Sequence, residues 1–172
     1  DCVRGPMLAH KGFEEGIAVA ELIAGKAGHV DYDVIPWVIY TEPEIAWVGK
    51  TEQQCKAENI PYRTGSFPFA AIGRAVAMNE PAGFVKMIAH AQTDRILGVH
   101  LVGAEVSELV AECVVARSFK GSSDDRPRII HAHPIGEILR RMRRQHDAAG
   151  DTQFVQRVRP QRSIEMTVEL RL

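Results

Sequence analysis

Residues 83–118 constrain the fold more than any other stretch of the chain. "GFVKMIAH" and "ILGVHLVG" are two runs rich in β-branched and aromatic residues, separated by the turn-forming "AQTDR". That arrangement predicts an antiparallel hairpin with Asp94-Arg95 at its tip. The pattern then changes period. In "AEVSELVAECVVARSF" the apolar residues Val106, Leu109, Val110, Cys113 and Val114 fall at helical spacing, with Glu105, Glu108 and Glu112 beside them. A hairpin followed at once by an amphipathic helix predicts a sheet with that helix packed on it.

The remaining segments extend the same plan. "GFEEGIAVAELIAG" predicts a helix through Ile17, Ala20, Ile23 and Ala24, and Gly25 can stop it. "HVDYD" is a polar connector. "VIPWVIYT" is extended, and Pro36 keeps it from a central place in a sheet. After the Glu42-Pro43 turn, "IAWVG" is a second short strand. Thr51 with Gln54 forms a capping-box pattern at the head of "TEQQCKAENI". "PYRTGSFPF" returns to extended chain. Ser122 and Ser123 mark a further helix start, and Pro127 keeps that helix short or distorted. The expected order is α-β-β-α-β-β-β-α-α, an α+β fold with an antiparallel sheet flanked by helices. The last residues show little helical period, and "SIEMTVEL" alternates weakly, as an edge strand does.

Composition excludes several classes. The 172 residues are 45% hydrophobic and 25% charged, enough for one domain with a buried core. No apolar run approaches the ~18 residues that span a bilayer, and the first residues lack the pattern of a secretory signal. Cys2, Cys55 and Cys113 are far apart, so the chain holds no CxxC or CxxxxC pair and a reducing compartment is expected. Charge is uneven: residues 1–138 carry net −5, whereas residues 139–172 carry eight arginines, no lysine and four acids, net +4. Arg140, Arg141, Arg143 and Arg144 cluster, but no aromatic residue is interleaved with them, so nucleic acid is not an expected partner.

Two constellations carry candidate chemistry. In "IIHAHPIGEILRR", His131, His133 and Glu137 admit three readings. They form a metal site with His146 as a distant fourth ligand, a general base with an orienting carboxylate, or a helix start with no chemistry. A His-Pro step holds His133 extended and sets Pro134 at the first helical position, one turn before Glu137. The other constellation is "GPMLAHK", which opens a helix whose free N–H groups suit an anionic or electron-rich edge. Asp1, just before it, can bond sugar-type hydroxyls.

Taken together, "DCVRGPMLAHKGFEEG", "VIYTEPEIAWVGKTE", "GRAVAMNEPAGFVKMIA", "DRILGVHLVGAEVSELV" and "HAHP" resemble the dihydrolipoamide dehydrogenases among the FAD-dependent pyridine nucleotide–disulfide oxidoreductases. The resemblance implies three parts: residues 1–34 ending an FAD-binding domain, 35–146 forming an interface (dimerisation) domain, and 147–172 a divergent tail. It implies that Asp1 bonds the FAD ribityl chain and that Met7, Leu8, Ala9 and His10 border the flavin. It further implies that His133 is the catalytic base, acting across a homodimer on the partner subunit, with Glu137 as its orienting carboxylate. No metal is implied. The cofactors are FAD and NAD, and the full enzyme serves the lipoyl domains of 2-oxo acid dehydrogenase complexes, in a bacterial cytoplasm or mitochondrial matrix. The glycine-rich FAD loop, the redox disulfide and the NAD site would lie upstream of Asp1, so the isolated chain is expected to be inactive.

The end of the chain departs from the family pattern. There the glutamate follows the histidine by five residues, whereas Glu137 follows His133 by four. One residue is about 100° of helix rotation, which turns Glu137 away unless Gly136 lets the backbone adjust. With the arginine-rich tail, this points to a frame-shifted or unselected terminus, and aligning the coding frames tests it. A non-enzymatic self-association module is the alternative function.

Overall fold

A computed structural model describes residues 2–120. Asp1 and residues 121–172, and with them the expected last helix, the tail, His131, His133 and Glu137, lie outside the described residues. The described elements are α1 (Ala9–Ile23), a 3-10 turn (Tyr32–Val34), β1 (Trp37–Ile39), β2 (Glu44–Gly49), α2 (Glu52–Ala57) and β3 (Tyr62–Pro68). They continue with a 3-10 turn (Phe69–Ala71), α3 (Gly73–Ala77), β4 (Gly83–His90), β5 (Ile96–Gly103) and α4 (Val106–Ser118).

The five strands form one antiparallel sheet in the order β1-β2-β5-β4-β3. The hairpin is its centre, with Val85 opposite Leu101 and Met87 opposite Val99. Its tip closes through the His90 N–H to the Arg95 carbonyl at 2.8 Å, and the His90 Nδ1 accepts from the Thr93 N–H at 3.2 Å. An ion pair from Arg63 on β3 to Asp94 holds the tip from the side. As Pro36 requires, β1 sits at an edge.

One sheet face is apolar because alternate residues point the same way. Ala46, Val48, Phe67, Val85, Met87, Ala89, Val99 and Leu101 meet Val106, Val110 and Cys113 of α4 in a single core cluster. The stripe expected on α4 is the one buried, with Leu109 and Val114 at its margins. Packing rather than intrinsic propensity holds this helix, since three of its residues are β-branched valines facing the sheet. The N-terminus of α4 has no cap from its own flank. Glu105 stands there with φ 56° and makes no side-chain cap bond, and the Ser107 N–H instead donates to the Glu44 carboxylate of β2 at 2.9 Å.

The capping box forms as expected on α2: the Gln54 N–H donates to Thr51 Oγ1 at 3.2 Å, and the Thr51 N–H to Gln54 Oε1 at 2.8 Å. Replacing Thr51 by Ala removes one acceptor and exposes the Gln54 N–H. The expected loss is about 1 kcal/mol, read as a lower urea midpoint with an unchanged slope.

Two features differ from the expected order. The short helix α3 intervenes between β3 and β4; it has five residues, starts on a glycine and has no side-chain cap, so no local signal announces it. In α1 the helix ends where Gly25 predicts. Gly25 (φ 74°) donates to Leu22 O and Lys26 to Glu21 O, a Schellman closure. Its apolar stripe, however, is not covered by described residues: Phe13 is 75% exposed and Ile23 84%, and Ile17 and Leu22 are also exposed.

Candidate functional site

The "GPMLAHK" segment is the expected site that falls among the described residues. Helix α1 begins at Ala9 with Leu8 as an extended N-cap residue that makes no side-chain cap bond, and no acid sits in the first turn. Its leading amides therefore carry the positive end of the helix dipole without a carboxylate to offset it. Met7, Ala9 and His10 are exposed and Leu8 half-buried. The His10 Nε2 donates to the Pro36 carbonyl at 2.9 Å, which ties this turn to the chain leading into β1.

Next to it lies a group that sequence inspection missed. Lys11 is buried, and its Nζ pairs with Glu15 at 2.7 Å. Glu15 also accepts from the Tyr32 hydroxyl at 3.0 Å. The ammonium of Lys11 holds the Glu15 carboxyl below its ordinary value, and Glu15 in turn pushes the Tyr32 phenol up. The i, i+4 spacing of Lys11 and Glu15 was the available signal; burial was not visible in it.

A second polar cluster lies across the sheet from α4. Lys86 of β4 pairs with Glu52 of α2, and the Tyr62 hydroxyl donates to Glu52 at 3.0 Å. Lys86 lowers the Glu52 pKa. His100 stands beside Lys86 in register and Trp47 beside His100. Burial, then the Lys86 charge, lowers the His100 pKa. Trp47 stacks on Trp37 with ring centroids 5.3 Å apart. A carboxylate with a depressed pKa stabilises the fold above its unfolded value and loses that contribution as pH falls through the folded value. The stability carried by Glu52 is therefore expected to start falling as pH drops below about 4.5 and to be gone only below its lowered folded value. A Glu52→Gln chain should show a shallower fall of urea midpoint with acid than the parent chain.

The cysteines offer no reactive thiol in the core. Burial pushes Cys113 up to about 12, and burial also raises Cys55; Cys2 is exposed. No three His, Cys, Asp or Glu side chains among the described residues converge as metal ligands. Nor, among the described residues, is any helix long and apolar enough to cross a membrane.

Comparison with known proteins follows this geometry. A family model described as the pyridine nucleotide-disulphide oxidoreductase dimerisation domain matches residues 35–142. The chain is 60% identical over 141 residues to the dihydrolipoyl dehydrogenase of Cupriavidus necator, covering 81% of this chain and 30% of that protein. It is 53% identical over 141 residues to the mitochondrial dihydrolipoyl dehydrogenase 1 of Arabidopsis thaliana, covering 81% of this chain and 28% of that protein. The chain thus spans under a third of the length of these curated relatives. Among solved structures, LpdA from Mycobacterium tuberculosis superimposes with a TM-score of 0.75 at 24% identity, over 83% of this chain and 32% of that one, which speaks to the fold. The antiparallel five-stranded sheet with its helices is the architecture of that dimerisation domain, and the chain belongs to the pyridine nucleotide-disulphide oxidoreductase family.

Proposed function

We propose that this chain is the C-terminal dimerisation part of an FAD-dependent dihydrolipoyl dehydrogenase, which oxidises dihydrolipoamide and reduces NAD. The observation that carries the reading is the 60% identity over 141 residues to a dihydrolipoyl dehydrogenase. In this reading the chain works as a homodimer and serves the lipoyl domains of a 2-oxo acid dehydrogenase complex, in a bacterial cytoplasm or mitochondrial matrix.

The chain's own contribution has two parts. The first turn of α1 presents amides unopposed by a side-chain cap. That donor set fits the electron-rich edge of a flavin, with Met7, Leu8, Ala9 and His10 along it and Asp1 toward the ribityl hydroxyls. FAD, when bound, supplies the hydride relay between thiols and NAD. The second part is His133, which takes the thiol proton in the partner subunit's site, with Glu137 orienting its ring if the entry turn at Gly136 adjusts. These 172 residues hold no CxxxxC pair, and in this reading the NAD site belongs to another part of the enzyme, so the purified chain should not reduce NAD.

A chimera tests the reading: the upstream part of the Cupriavidus relative joined to this chain at Asp1. The expected result is a yellow, dimeric protein that reduces NAD with dihydrolipoamide. A folded chimera that binds no FAD, or binds it without turnover, sinks the proposal.

A further inference from the structure

Lys11 is one of two charged side chains buried among the described residues, at 3% exposure. Burying an ammonium is costly unless it is paired and hydrogen-bonded. Here the pairing runs outward in steps. Lys11 Nζ meets Glu15 at 2.7 Å, Glu15 meets the Tyr32 hydroxyl at 3.0 Å, and Tyr32 opens the 3-10 turn just before Pro36. Pro36 accepts from His10 at 2.9 Å. Two consecutive side chains of the first turn of α1 are thereby tied to residues 32–36, the chain that runs into β1.

The aliphatic stem of Lys11 has its own role. Gly5 lies over it with φ 107°, and a Cβ on Gly5 would stand 3.0 Å from Lys11 Cε. The loop before α1 is thus laid against this stem. It then turns through the Leu8 N–H to Pro6 O bond at 3.0 Å, and the Gly12 N–H donates to Leu8 O at 3.1 Å. Outside these contacts α1 keeps its large apolar residues exposed. Among the described residues, where Ala18 is the one buried apolar side chain of α1, its placement therefore depends on this polar clasp more than on packing.

We propose that Lys11 is a positioning residue: through Glu15 and Tyr32 it fixes the 3–8 loop and the first turn of α1, so that their amides stand where the flavin edge binds. The inference rests on the dihydrolipoyl dehydrogenase reading and adds to it a residue that does not itself touch the cofactor. It also makes the segment 32–36 the link through which the dimerisation sheet sets the flavin-facing turn.

The test has two arms. In the full 172-residue chain, Lys11→Ala should speed amide exchange at Leu8 and Gly12 about tenfold or more, while β2 and β5 keep their protection. In the chimera, the same change should weaken FAD affinity about tenfold, with stronger free-flavin emission and a shifted flavin absorption band. Lys11→Arg, which keeps the charge and most of the stem, should restore both. If Lys11→Ala loses protection in β2 and β5 as well, Lys11→Met, which keeps the stem without the charge, takes its place. Unchanged exchange at Leu8 and Gly12, or unchanged flavin affinity in a chimera whose parent binds FAD, overturns the assignment of Lys11. A parent chimera that binds no FAD overturns the enzyme reading itself.

Discussion

Replacing Arg117 by Ala should lower the stability of the folded chain by about 2–4 kcal/mol. Its side chain is 10% exposed and sits at the end of α4 against the beginning of β5. Nε donates to the Asp33 carbonyl at 2.8 Å, and Nη1 donates to the carbonyls of Ile96, at 3.2 Å, and Leu97. Nη2 lies 3.7 Å from the Asp33 carboxylate. One planar guanidinium thus joins α4, β5 and the 3-10 turn before β1. Alanine takes the guanidinium from these carbonyls, of which Leu97 O still accepts from the Lys50 N–H at 2.8 Å, and opens a space at the sheet margin. Lysine carries the charge but not the fork, so Arg117→Lys should recover only part of the loss. Urea unfolding followed by tryptophan fluorescence measures both. With a slope of about 2 kcal/mol per molar urea, the Ala variant should unfold roughly 1–2 M earlier. A shift under about 0.3 M would show that the clamp is ornamental.

Within the chimera, His133→Gln should reduce turnover with dihydrolipoamide by about 10²–10⁴-fold, the range that a positioned general base supplies. Glutamine keeps a polar side chain that can still hydrogen bond, but it cannot take up a proton at neutral pH. FAD binding and dimer formation should survive, because the proposed role is proton transfer alone. The loss should shrink as pH rises, since the thiol substrate then deprotonates without help. Glu137→Gln separates two possibilities left by the spacing. If the early glutamate still orients His133, this change should lower turnover and shift the pH profile. If helix rotation carries it away, neither should move. Turnover unaffected by His133→Gln would remove this histidine from the mechanism.

The family reading was legible wherever motif and local chemistry coincide. The hairpin, the α4 stripe, the Thr51–Gln54 box and the Gly25 stop are all matters of neighbours within a few residues, so the residue order contains them. The resemblance also marked Met7–His10; of these the described structure places Ala9 and His10 in the first turn of α1, Leu8 at its N-cap and Met7 just before it. The burial of Lys11 was hidden, because a Lys–Glu pair at i, i+4 is ordinarily a solvated one. Arg117 was hidden for another reason: it continues the apolar stripe of α4 one turn past Cys113, and its acceptors lie 20, 21 and 84 residues away.

By itself, then, the sequence determined the types of the described elements apart from α3, the α+β class and the family, because periodicity, capping and turn chemistry act over short distances. Tertiary structure decided which faces are covered and which charges are paired. Ile17 and Ile23 have the spacing of a core stripe yet face outward, while Lys11 is buried beneath Gly5. Glu44 caps a helix 63 residues further on. Burial and long-range pairing depend on what the folded chain brings alongside each residue, and no local pattern carries that information.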